Sequence, residues 1–194
     1  MPQRNLIKME YWLDDHGFVV VETDRWVLAE MNGVYQMQYA KSNLLNSHTV
    51  HDNSLSRKAG VLGELVFSDL YGTAKQSTDM RWDFWFKGRR VDVKCKYRNF
   101  PPNKENNEAS LFAYQVHNAK IEYYYFMSTV PNFERVWLCG YISRRELLEH
   151  PMREFWKKGA IDTSNGKEFK ADTLSIGYGY LHPVDIEKIT PRQY

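Results

Sequence analysis

Asp83 and the triplet Asp92-Val93-Lys94 lie on either side of a short turn in Arg81-Trp-Asp-Phe-Trp-Phe-Lys-Gly-Arg-Arg-Val-Asp-Val-Lys-Cys-Lys96. With Lys87-Gly88 as a two-residue hairpin loop, Phe86 faces Arg89, Trp85 faces Arg90, Phe84 faces Val91 and Asp83 faces Asp92. Side chains alternate between the faces of a strand. One face then collects Trp82, Phe84, Phe86, Val91, Val93 and Cys95, and is predicted to be buried; the other carries Asp83, Asp92, Lys94 and Lys96. Two opposed carboxylates with a lysine two residues further on are the layout of a divalent-metal site for phosphodiester chemistry.

Opposed Cβ atoms in an antiparallel pair lie roughly 5 Å apart. Two carboxylates at that distance repel by about 3 kcal/mol at an effective dielectric of about 20, and by under about 1 kcal/mol in water. A fully solvated face bears the smaller cost unaided, so simple hydration of both acids stays open. A partly enclosed pair needs a cation, and Mg²⁺ with oxygen ligands supplies it.

The 194 residues fit one domain with appendages and are enough to bury a substantial core. Net charge is only +2, so bulk charge does not mark a polyanion binder. The charge is local: between Lys87 and Arg98 six basic residues (Lys87, Arg89, Arg90, Lys94, Lys96, Arg98) stand against one acid, Asp92, a patch suited to a phosphate backbone. Cys95 and Cys139 sit in apolar strand patterns and read as buried thiols of a reducing compartment. With no secretory leader pattern and no apolar run of about 18 residues, the expectation is a soluble cytoplasmic protein without membrane contact.

Around the central hairpin, residues 3–16 have near-helical apolar spacing, with Gly17 as the stop. Phe18–Val21 reads as a strand, and Asn32-Gly33 predicts a hairpin of Trp26–Met31 with Val34–Tyr39. That hairpin is available for substrate binding or for pairing with a second copy, which makes a homodimer one expectation. The Asn/Ser-rich stretch 41–56 is a linker, followed by a helix over Arg57–Tyr71 carrying Glu64 and a short strand near Thr73–Ser77. Residues 97–109 form a polar loop, Ser110–Lys120 a short helix or partly extended segment with Gln115 and His117, and Ile121–Ser128 and Arg135–Tyr141 two strands. Ser143-Arg-Arg-Glu146 has capping-box spacing for a helix through Glu149. Phe155 and Trp156 are anchors, 162–166 a turn and Ile176–Leu181 a strand. The organisation is an N-terminal element over 1–50, a core over 57–150 and a C-terminal extension over 151–194 packing on that core. The class is α/β or α+β with a mixed sheet.

A helix with Glu64, then Asp83, then Asp92-Val93-Lys94, then a helix and two strands resembles the PD-(D/E)xK nuclease superfamily, over roughly residues 57–150. The resemblance implies a restriction-endonuclease-like core and Mg²⁺-dependent hydrolysis of DNA, endonucleolytic in preference to exonucleolytic, with Mn²⁺ able to substitute. It assigns metal binding to Asp83, Asp92 and Glu64, with the Val93 carbonyl as a further oxygen ligand. Lys94, about 7 Å along the strand from Asp92, would orient the attacking water, and Gln115 would position water or a phosphate oxygen. Arg90, Lys96 and Arg98 would grip nucleic acid. Trp82 stands where the family often has proline. A non-catalytic nucleic-acid-binding module of the same fold and an assembly protein using aromatic contacts are the rival readings. His48 and His51 lack further ligands at zinc spacing, and two cysteines cannot hold an iron–sulfur cluster.

Overall fold

The computed structural model describes residues 10–44, 54–73, 82–117, 120–162, 166 and 168–185. His48, His51 and nearly all of the predicted strand at 73–77 fall outside them. The elements in chain order are β1 (Tyr11–Leu13), β2 (Val19–Glu22), α1 (Arg25–Leu44), α2 (Ser54–Tyr71), β3 (Phe84–Phe86), β4 (Arg89–Tyr97), β5 (Glu108–Phe112), α3 (Ala113–Val116), β6 (Tyr123–Thr129), β7 (Arg135–Ser143), α4 (Arg144–Glu149), β8 (Glu154–Trp156) and β9 (Thr173–Gly177).

A six-stranded sheet runs β1-β2-β7-β6-β4-β3, and a three-stranded sheet runs β5-β9-β8. The larger sheet is mixed: β4 and β6 are parallel and the other neighbours antiparallel. Its two faces feed two cores. On one, Val19, Val21, Val91, Val93 and Met127 pack with Val27 and Met31 of α1 and Leu62, Val66 and Phe67 of α2. On the other, Val20, Tyr124, Phe126 and Trp137 pack with Leu111, Val116, Leu147, Leu174 and Ile176 from the small sheet, α3 and α4. The chain is therefore a mixed α/β fold with a six-stranded sheet flanked by helices. Among the described residues no helix is long and apolar enough to cross a membrane.

The central hairpin has the predicted register, Phe84↔Val91, Trp85↔Arg90 and Phe86↔Arg89. The predicted apolar face departs at Trp82, whose ring packs into the opposite core from Phe84 because strand alternation ends before it. Ser143 and Glu146 form the expected capping box at the start of α4. The predicted strand at 176–181 shifts: β9 ends at Gly177 and Tyr178–Tyr180 is a 3-10 turn. Phe155, expected to anchor, is 49% exposed.

The N-terminal region reverses two expectations. Tyr11–Leu13 is a strand paired with Val19–Val21, not the end of a helix. Gly17, read as a helix stop, has φ 68 in the connecting turn, where the Asp14 Oδ1 accepts from the amides of His16 and Phe18. The stretch containing Asn32-Gly33 is helical, not a hairpin. Asp24 caps it through Oδ1 to the amides of Trp26 (2.7 Å) and Val27 (2.8 Å), and Val27, Met31 and Tyr35, four apart, form its buried stripe. Asn32 spends its amide on the Leu28 carbonyl inside the helix. The capping carboxylate and the period of four outweigh the turn dipeptide.

Helix α2 approaches β4 so closely that a Cβ on Gly63 would stand 2.5 Å from the Cβ of Cys95. Two glycine substitutions test this packing. Gly33→Ala, with open space around its missing Cβ, raises stability by about 1 kcal/mol as expected of a helix interior; in a hairpin turn the same change would destabilise. Gly63→Ala lowers stability by about 1–3 kcal/mol through overpacking despite the same gain in helix propensity. Urea unfolding curves read both.

Candidate metal centre and cleft

β3 pairs with β4 only from Arg89 to Val91, while β6 pairs with it from Val91 to Tyr97. Among the described residues no strand covers the outer edge of β4 from Asp92 onward. Asp83 takes that place: its amide donates to the Val91 carbonyl (2.9 Å) and its Oδ2 accepts from the Val93 amide (2.7 Å). An extended residue turns its N–H and C=O to the same edge, so the Val93 carbonyl faces outward as well.

A cleft of about 540 Å³ follows this edge, between the N-terminal half of α2 and the β5–α3 corner. Its walls include Glu64, Asp83, Val93, Lys94, Lys96 and Gln115. Six of the predicted site residues thus share one cleft, and Asp92 lies behind Lys94. Glu64 arrives on α2, positioned by the Gly63 contact with Cys95. Gln115 arrives on the single turn of α3, held by Ala113 and Val116 in the core and by the Tyr124 hydroxyl donating to the Gln115 carbonyl at 3.1 Å. His117 ends that turn and does not line the cleft.

Asp92, on the polar face of the hairpin, is 7% exposed, so of the hydrated and the enclosed arrangements it has the enclosed one. The sheet strand it occupies is covered on both sides, by α2 and by the β5–α3 layer. Burial pushes its pKa up to about 7; the Lys94 charge works against this and the Asp83 charge with it. Lys94 Nζ sits 2.7 Å from Asp92 Oδ2, yet outside hydrogen-bond directions, and Oδ2 is left buried without a hydrogen-bond partner. Burial works to lower the Lys94 pKa, but the charges of Asp92, Asp83 and Glu64 together raise it, so the ammonium persists. A buried carboxylate oxygen in contact with Lys94 Nζ, beside a second carboxylate and an outward carbonyl, fits a hard cation. Among the described residues no three His, Cys, Asp or Glu side chains already converge on a common point; the donor set therefore relies on the Val93 carbonyl and on solvent.

The basic patch divides. Lys96 is exposed and lines the cleft. Arg90 gives its backbone amide and Nε to the Glu122 carboxylate and stacks over Trp82. Arg98 spends its guanidinium on Ser128 Oγ, the Glu108 carbonyl and the Tyr178 hydroxyl, tying the end of β4 to the small sheet. Neither arginine borders the cleft. Sequence reading did not single out Phe112 and Tyr114, whose exposed rings stack at 5.6 Å beside Gln115, with Phe112 on the cleft wall. The signal was present: both are aromatic neighbours of buried Leu111 and Ala113 on the segment that carries Gln115.

The raised pKa of Asp92 gives a pH signature. In the metal-free protein this carboxyl favours its protonated form, so its contribution to stability is whole below the ordinary aspartate pKa of about 4 and is lost as pH rises through about 7. Mg²⁺ needs the carboxylate, so the reverse holds for metal. Were Mg²⁺ to bind here, the rise in Tm it induces would be small at about pH 5.5 and full by about pH 8. Asp92→Asn is expected to abolish it, and a Tm increment independent of pH in thermal melts would count against the site.

A scan of protein-family models finds no match to this chain, and a search of curated proteins finds no similar sequence.

Proposed function

We propose that the chain is a metal-dependent deoxyribonuclease of the PD-(D/E)xK type, with a restriction-endonuclease-like core. The observation that carries this reading is the convergence of Glu64, Asp83, Val93, Lys94 and Gln115 on one cleft along the open edge of β4, with buried Asp92 paired to Lys94. Asp83, Asp92 and the Val93 carbonyl would hold Mg²⁺ or Mn²⁺, with Glu64 on the facing helix for a further contact. The metal, when bound, would make a bound water acidic and neutralise charge on the scissile phosphate. Lys94, held as an ammonium, would hold the attacking water or stabilise charge on the phosphate oxygens. Gln115, uncharged, would orient a water or a non-bridging oxygen. Lys96, exposed at the rim, would meet the neighbouring phosphate.

The rival reading is a non-catalytic nucleic-acid-binding module. It draws on the Lys94–Asp92 contact at 2.7 Å, which partly neutralises the acid without any metal. The two readings separate on cleavage of plasmid and linear DNA in Mg²⁺. Asp92→Ala and Lys94→Ala are each expected to lower the rate by about 100-fold or more, with Mn²⁺ supporting the wild type. Wild-type rates in both variants would sink the nuclease assignment.

Lys96→Ala and Arg98→Ala separate substrate contact from architecture. The lysine variant is expected to lose DNA affinity, with the slope of log affinity against log salt falling by about 1. The arginine variant is expected to melt lower, because Ser128, Glu108 and Tyr178 lose their shared donor.

A further inference from the structure

We infer that a second cavity, at the opposite end of β4, binds one nucleotide, with the base among tyrosine rings and the phosphate on Lys87 and Arg89. Nothing in this requires the cleft to be catalytic. The cavity holds about 350 Å³, within the range of small-molecule sites. Tyr71 from the end of α2, Tyr123 and Tyr125 from β6 and Tyr141 from β7 wall it. Tyr125 and Tyr141 stack at 5.0 Å with 16° between their planes, and Tyr123 tilts against Tyr141.

Three features define the ligand. The walls are largely aromatic rings, which suit a planar ring. Among the described residues none of the four phenol hydroxyls has a hydrogen-bond partner. Nor are they sealed away, since the only buried side-chain atoms without partners among those residues are Trp82 Nε1 and Asp92 Oδ2. A purely apolar occupant would leave these hydroxyls unpaired; a heterocycle with polar edges would engage them. At the mouth stand Lys87, on the hairpin tip, and Arg89, 59% exposed, with one bond to Glu122 out of the five N–H donors of a guanidinium. They call for an anion, and the acid Asp185 on the same rim favours a monophosphate over a polyphosphate. Planar ring, polar edges and one phosphate describe a nucleoside monophosphate, either unattached or as an unpaired residue of a DNA strand.

Calorimetric titrations in EDTA, which removes any metal-held phosphate at the cleft, test this with dAMP, deoxyadenosine, inorganic phosphate and a single-stranded tetranucleotide. Saturable binding of dAMP, with deoxyadenosine and phosphate each weaker by about 10-fold or more, supports the unattached nucleotide. Binding of the tetranucleotide without dAMP supports the strand-borne one. In either case Tyr71→Phe and Tyr141→Phe, which keep the rings, are expected to weaken binding roughly 3- to 10-fold each. Lys87→Gln and Arg89→Gln should weaken it as well, all four variants melting as wild type. No saturable binding of either nucleotide probe, or binding indifferent to all four substitutions, would overturn the inference.

Discussion

One carboxylate determines how the sheet ends. β3 stops at Phe84, and Asp83 uses its side chain, where a strand would use a carbonyl, to take the amide of Val93. A longer β3 would have paired along β4 and closed its edge. Because a side chain does this, the strand keeps its hydrogen bond while the described residues leave the space beside it open, bounded by α2 on one side and β5 with α3 on the other. The cleft and the outward Val93 carbonyl follow from that substitution, and half-buried Lys94 lines the space it leaves. The bond is charge-assisted and short, and this class is stronger than neutral pairs, so the carboxylate is held in place before any ligand arrives.

Burial of Asp92 is the second constraint, and it opposes the first. An acid between two covered faces of a mixed sheet loses hydration that Lys94 does not fully replace, and the Asp83 charge adds to the penalty. Lys94 partly compensates, at an angle that leaves one oxygen unsatisfied. The result is a local fault in an otherwise well-packed core, where Phe84, Val66, Phe67 and Tyr124 are fully buried. Such faults are costly to maintain, and concentrate where a fold holds chemistry.

The sequence made legible what depends on neighbours along the chain. The register of the hairpin follows from Lys87-Gly88 and alternation, and the α4 cap follows from the Ser143–Glu146 spacing. Glu64, Asp83, Lys94 and Gln115 were placed together by the family resemblance that the order of helices and strands carries. What depended on distant partners was hidden. The burial of Asp92 needs β5, whose pairing with β9 spans some sixty residues of chain (Ser110↔Ser175). The diversion of Arg98 needs Tyr178 from the same distant segment. At the N-terminus the failure was one of competing local signals: Asn32-Gly33 suits a turn, but Asp24 and the Val27–Met31–Tyr35 stripe specify a helix against α2.

Helix α2 carries a consequence of a different kind. It presents Glu64 to the cleft and Tyr71 to the tyrosine cavity, seven residues or nearly two turns apart, about 10 Å along the axis. Gly63 lets the helix lie this close to β4, since a Cβ there would stand 2.5 Å from that of Cys95. The stretch between Glu64 and Tyr71 is therefore a gauge of set length. Substitutions on its outward side leave that gauge alone, whereas inserting or deleting one residue would swing everything beyond it by about 100°. Variation in chain length across this helix should be far rarer than variation in residue type.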